Sequence, residues 1–173
     1  MTYKFKYFDD PLKNAEFIDE EECQSCGTRK YCLEGEYFDF EEEVISVCLD
    51  CLKKGKVKVN IPDYIKDRIT GVEKEEKIAE LEKTPPVPWI QYNDWPVCCN
   101  DFTKYLGEWN RKDFERHSED GNGLNYLLSI LDQSMKERIV NDQTFWEDIG
   151  NYTAIFVFEC LCCSKRIAIP QSY

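Results

Sequence analysis

Three patterns in the sequence predict an α+β fold. Two cysteine pairs of C-x-x-C spacing, Cys23/Cys26 and Cys48/Cys51, flank a stretch rich in Tyr and Phe. Leu124, Leu127, Leu128 and Leu131 recur at helical spacing, and residues 152–158 form an apolar, β-branched and aromatic run. The cysteine pairs read as an N-terminal treble-clef or ribbon-like zinc finger. The other two patterns read as a C-terminal helix and a β-hairpin that carries a second cysteine cluster. The implied organisation is a zinc-finger region over residues 1–62, a helical connector over 63–88 and a C-terminal region over 89–173, short enough together for one compact domain.

Taken in order, residues 1–12 are aromatic and end in Asp9-Asp10-Pro11-Leu12, which predicts a packed edge segment closed by a turn. Residues 30–40, with Gly35 among Tyr and Phe, suggest a hairpin. Val44-Ile45-Ser46-Val47 is a short strand delivering Cys48, and residues 52–55 suggest one helical turn closed by Gly55. Pro62 opens a short helix that Gly71 stops, and the charged segment 72–83 predicts a surface helix ended by Thr84-Pro85-Pro86. Residues 89–96, with Trp89, Tyr92 and Trp95, are too aromatic for an open loop. Residues 110–123 are polar and finish in a Gly121-Asn122-Gly123 loop, after which one helix is expected over 122–139. A further helical turn is expected over 144–149. The strand over 152–158 turns through Cys160-Leu161-Cys162-Cys163 into a second strand, 166–169, which Pro170 should end.

The chemistry lies in the cysteines. Two thiolates two residues apart wrap one ion at a tight turn whose N–H groups support the sulfur charge, and two such turns complete a tetrahedron. Cys23, Cys26, Cys48 and Cys51 are therefore expected to hold one structural Zn2+, with Gly27 supplying the freedom the turn needs. A second zinc site is expected at Cys160 and Cys163 with Cys98 and Cys99. Because adjacent cysteines ligate one ion awkwardly, Asp101 or water is an alternative fourth ligand. Cys162 is an extra thiol, and Cys32 reads as a packed apolar residue. The single histidine, His117, reads as a solvated loop residue, which argues against a catalytic triad.

The chain of 173 residues is 42% hydrophobic and 32% charged, with a net charge of −12. That field repels phosphate backbones and attracts basic proteins, so nucleic-acid binding is disfavoured and a basic protein partner is favoured. The acidic runs Glu20-Glu21-Glu22 and Glu41-Glu42-Glu43 read as solvated faces. No segment is apolar enough to span a membrane, and residues 1–8 lack a signal-peptide run, which together lead us to expect a cytoplasmic protein with reduced thiols.

The opening Phe5-Lys6-Tyr7-Phe8-Asp9-Asp10-Pro11-Leu12, the spaced cysteine pairs, and Thr84-Pro85 through Trp89, Gln91 and Trp95 form a distinctive series. It continues with Cys99-Asn100-Asp101, Tyr105-Leu106-Gly107 and Cys160-Leu161-Cys162-Cys163. In this order the series resembles the CbrC family of bacterial proteins. Where that family often has histidine, this chain has Cys98, an exchange that a metal ligand tolerates. Residues 110–145 make a longer helical insertion than the resemblance leads one to expect. The resemblance implies a role in tolerance of, or immunity to, a colicin-like nuclease toxin through protein–protein binding. Two other functions compete with it. One is a zinc-dependent hydrolase using Cys98, Cys160, Cys163 and Asp101. The other is a zinc-finger regulator that binds nucleic acid.

Overall fold

The computed structural model describes residues 2–39 and 43–173. Glu41 and Glu42 of the second acidic run, and Phe40, lie outside them. Tyr3, Phe5 and Tyr7 are spaced two apart, so an extended chain sends all three to one face, and all three are buried. The segment is held by β-type bonds to the later chain: the Tyr105 N–H donates to the Tyr7 carbonyl (2.9 Å) and the Asp9 N–H to the Tyr105 carbonyl (2.8 Å). A short helix, α1 (Pro11–Asn14), follows.

The N-terminal region contains two small ribbons. Strand β1 (Cys32–Glu34) pairs antiparallel with β3 (Ser46–Cys48), and β2 (Phe38–Asp39) pairs with β4 (Lys58–Val59). The hairpin expected within residues 30–40 does not form, because Gly35 does not turn the chain back. It begins a 3-10 turn (Gly35–Tyr37) that carries the chain from one ribbon to the other. A Cβ at Gly35 would lie 1.6 Å from the Val44 carbonyl oxygen, so the glycine serves close backbone approach. Helix α2 (Leu49–Lys53) follows β3 directly, and Gly55 (φ +69°) closes it. Helices α3 (Asp63–Lys66) and α4 (Lys74–Leu81) come next, with Gly71 (φ +90°) between them. Ile65, Ile69, Ile78, Leu81 and Val87 join the same core as Val47, Leu49 and Phe156, so this core draws side chains from all three expected regions.

A two-stranded ribbon of β5 (Val97–Cys98) and β6 (Asp101–Phe102) leads into a three-stranded sheet ordered β7 (Lys104–Glu108), β8 (Thr153–Glu159), β9 (Arg166–Ser172). Central β8 is apolar without alternation because both faces are covered. Ala154, Phe156 and Phe158 enter the main core, while Ile155 and Val157 enter a second core with Phe114, Leu127 and Ile149. The Trp89 ring lies parallel to that of Phe158, with centroids 5.8 Å apart, and the Trp95 indole N–H donates to the Thr103 carbonyl (2.9 Å), so the aromatic segment is packed. Strand β9 runs through Pro170, which pairs with Ile155, instead of stopping there. As an edge strand it tolerates a residue without an N–H.

Helices cover the other face of the sheet. The single helix expected over residues 122–139 is two, α6 (Gly123–Ile130) and α7 (Gln133–Arg138). Leu131 is extended, and the Asp132 carboxylate accepts from the Met135 N–H (2.8 Å), restarting the helix as an N-cap. Preceding them is α5 (Arg111–His117), in the polar stretch ahead of the Gly121-Asn122-Gly123 loop; Asn110 and Asp113 form a full capping box at its start. Helix α8 (Asp142–Asp148) leads into β8.

Candidate metal centres

The first centre is built from one turn and one strand-to-helix junction. At the turn, the Gly27 N–H donates to the Cys23 carbonyl (2.7 Å) and the Cys23 N–H to the Thr28 carbonyl (2.8 Å), with Gly27 at φ +73°. This knuckle sets Cys23 and Cys26 side by side. Cys48 ends β3 and caps α2, and Cys51 lies within the first turn of that helix. The Gln24 side chain fastens the knuckle to the strand by accepting from the Ile45 N–H (2.8 Å), while the Ser46 hydroxyl donates to the Glu22 carbonyl (2.8 Å). All four sulfurs lie within 4.8 Å of one another, and the Cys26 and Cys48 sulfurs are 3.6 Å apart. A zinc–sulfur distance of about 2.3 Å gives a tetrahedron with edges of about 3.8 Å, and a disulfide would need about 2.05 Å. The spacing suits an ion and not a bond.

The second centre uses the same kind of knuckle. The Ser164 N–H donates to the Cys160 carbonyl (3.0 Å) and the Cys160 N–H to the Lys165 carbonyl (2.8 Å), with Ser164 at φ +59°. The Cys163 N–H also points at the Cys160 sulfur (3.5 Å). The other half is unlike the first. Cys98 and Cys99 are adjacent, yet both join the group whose four sulfurs lie within 4.8 Å. The backbone makes this possible. Cys99 (φ +53°) and Asn100 (φ +54°) are the two turn residues between β5 and β6, both left-handed, as a type I′ hairpin requires. Asn100 tolerates that conformation better than most residues, and it pins the hairpin to the 63–88 segment. Its side chain accepts from the Thr70 N–H (3.1 Å) and donates to the Thr70 carbonyl (2.9 Å), and the Lys77 ammonium donates to its carbonyl (2.9 Å).

Asp101 does not belong to the group. Its carboxylate accepts from the Tyr7 hydroxyl (2.6 Å), the Lys6 ammonium (3.1 Å) and its own neighbour's N–H at Phe102 (2.8 Å). It braces the hairpin against the N-terminal segment. Cys32 is not one of either four; it sits beside the first centre, opposite Cys48 in the β1–β3 ribbon, fully buried, with its thiol directed at the Thr28 carbonyl (3.3 Å). Cys162 is exposed and outside the four. His117 ends α5 instead of sitting in a loop, with its ring stacked on Trp109 at a centroid distance of 4.2 Å. The supporting roles of Gln24, Ser46 and Tyr7 left no local mark in the sequence, whereas asparagine after Cys99 is a readable turn signal.

Each centre polarises its thiols in the same way. Burial pushes the Cys23 thiol up, but the N–H groups of Cys48, Ser25 and Cys26 outweigh it and bring the pKa down to about 7. Burial also opposes ionisation of Cys160, and there the N–H groups of Cys163 and Cys162 lower it to about 7. The neighbours move upward: Cys48 through burial and the surrounding thiols, and Cys98 to about 11 through burial and the sulfurs of Cys160 and Cys163. One thiolate per centre is thus supported by the backbone, and four together require a cation among them.

Among the described residues, no helix is long and apolar enough to cross a membrane. The model of a family described as "Uncharacterised protein family (UPF0167)" matches residues 3–170. The chain is similar to UPF0167 protein PA1536 of Pseudomonas aeruginosa, with 25% identity over 168 residues that cover 93% of this chain and 92% of that protein. No solved structure matches the chain.

Proposed function

The chain belongs to the UPF0167 family, and from that premise we propose that it is a non-enzymatic binding protein whose acidic scaffold is held together by two structural zinc ions. The observation that carries this reading is the pair of four-cysteine groups, each with its sulfurs within 4.8 Å. Four thiolates around one ion close the coordination sphere, and closed sites are structural, whereas catalytic zinc keeps a position for water. All-sulfur tetrahedral sites suit zinc, and iron is the metal to be distinguished from it. The first centre, a knuckle followed by the β1–β3 ribbon and α2, supports a treble-clef finger.

The partner in this reading is a basic protein, recognised by a surface with a net charge of −12 that steers association by long-range attraction. The CbrC resemblance narrows the class to a colicin-like nuclease toxin, bound in a cytoplasm that keeps the thiols reduced. Elemental analysis of the purified protein tests the metal. We expect two zinc ions per chain, falling to one in the Cys98→Ser, Cys160→Ser double variant. Iron in place of zinc, or a single ion in both proteins, would end the two-zinc reading. Retention of a basic nuclease domain on the immobilised protein, abolished by high salt, tests the partner, and binding that is indifferent to salt would remove the electrostatic argument.

A further inference from the structure

The two knuckles differ at one position with chemical consequence. The first reads Cys23-Gln24-Ser25-Cys26 and the second Cys160-Leu161-Cys162-Cys163, so a thiol stands where the first centre has a hydroxyl. Cys162 is exposed, as are Cys99 and Cys163 among the four grouped cysteines. Cys99 and Cys162 line the same surface cavity of about 370 Å³, and Cys162 directly precedes Cys163, whose sulfur lies within 4.8 Å of that of Cys99. At the first centre three of the four cysteines are buried, and the nearby spare thiol, Cys32, is completely so.

We propose that the second centre is a peroxide-responsive modification site in which Cys99 and Cys162 join in a disulfide. A metal ligand is a thiolate, and an exposed thiolate is the nucleophile that peroxides oxidise. The Cys99 sulfur attacks one oxygen of hydrogen peroxide; the S–O bond forms, the O–O bond breaks and hydroxide leaves. The Cys162 thiol then attacks the Cys99 sulfenic acid; the S–S bond forms, the S–O bond breaks, and the proton of the thiol leaves with the oxygen as water. Both sulfurs are oxidised, both peroxide oxygens are reduced, and the centre is left with three thiolates in place of four. A reductant of the thioredoxin or glutathione class reverses the change.

The proposal rests on the zinc reading made above, both for the thiolate at Cys99 and for the metal-release readout, whereas the disulfide is read independently of metal. The full-length protein is treated with hydrogen peroxide while released zinc is followed with a chromogenic chelator, and disulfides are assigned by tandem mass spectrometry of the digested product. Wild type should lose one of its two zinc ions, gain the Cys99–Cys162 disulfide and recover the metal after dithiothreitol. Cys162→Ser, which gives the second knuckle the serine already present in the first, should bind both ions as purified, form no disulfide at Cys99 under peroxide, and pass instead to the Cys99 sulfinic acid, so that dithiothreitol no longer restores the second ion. Recovery of the second ion after dithiothreitol to the same extent in Cys162→Ser as in wild type would overturn the proposal, and so would a peroxide product of wild type lacking the Cys99–Cys162 bond. If the second centre carries no zinc as purified, the two-zinc reading fails, and the mass assignment alone decides for or against the disulfide.

Discussion

The two four-sulfur centres share a donor set and a knuckle but occupy opposite environments. In the first, Cys23, Cys48 and Cys51 are at most 2% exposed and touch the main core. In the second only Cys160 is buried; Cys98, which ends β5, is half-buried, and Cys99, in the β5–β6 turn, is exposed. The knuckle alone therefore does not decide what a bound ion does; the other half of the site does. A strand-to-helix junction carries its ligands inward with Val47, Leu49 and Leu52, whereas a two-residue hairpin turn holds its ligands at the surface. The first centre is part of the interior, and the second is a clasp closing the ribbon against the sheet.

Ligand removal should separate the two most widely. Cys51→Ser is expected to lose the first ion and with it the N-terminal fold. A structural zinc contributes about 10–16 kcal/mol, as much as the whole stability of about 5–15 kcal/mol typical of a domain. Calorimetry should show no cooperative transition. Cys163→Ser should lose the second ion yet keep a cooperative melt at a lower temperature, because the cores around Phe156 and Phe114 do not depend on it. Equal collapse of both variants would break the distinction between interior and clasp.

A smaller effect is expected beneath the clasp. Tyr7→Phe deletes the 2.6 Å hydrogen bond to Asp101, a bond to a charged group, and should cost about 1–2 kcal/mol in urea unfolding. Lys6 still faces the carboxylate, which limits the loss. Chelator challenge should show faster metal loss from the second centre and no change at the first. A change at the first would mean that the two are coupled through the N-terminal segment.

These contrasts also explain how much the sequence revealed. The grouped cysteines of the first centre were legible because C-x-x-C spacing is a local signal, and the buried strand β8 was legible because its apolar run is uninterrupted. The convergence of Cys98 and Cys99 was harder to read, since it depends on two left-handed residues in succession, for which Asn100 was the one clue. The bounds of helix α5 within the helical insertion were hidden by its polarity, although Asn110 and Asp113 spell a capping box. Asp132, inside the single helix expected over residues 122–139, proved to be a cap that divides it. The partner of β1 was not legible at all: β1 and β3 are joined by long-range pairing, and Gly35 looks the same in a sequence whether it makes a turn or admits a neighbouring backbone.

The finest comparison lies in the residue after each knuckle. Gly27 has φ +73° with open space around it, and Ser164 holds φ +59° with a side chain. Gly27→Ala should therefore destabilise by about 1 kcal/mol through backbone strain alone, and Ser164→Gly should be neutral or stabilising by a few tenths of a kcal/mol. Thermal melts of the two variants shifting in the same direction would show that the knuckles are not equivalent.

The span of chain between ligands bears on how the molecule is made. Cys26 and Cys48 are 22 residues apart, and Cys98 and Cys163 are 65. Loop closure alone makes the second encounter more costly by about 1 kcal/mol, a modest handicap beside that of timing. During synthesis the first centre can assemble once α2 has emerged, while Cys98 and Cys99 wait for a strand encoded at the far end of the chain. Until then the Tyr105 edge that receives Tyr7 lacks its neighbour β8, and the hairpin thiols stand open. A nascent chain of this protein thus passes through a stage with its first four-cysteine group complete and the sulfurs of Cys98 and Cys99 still without those of Cys160 and Cys163.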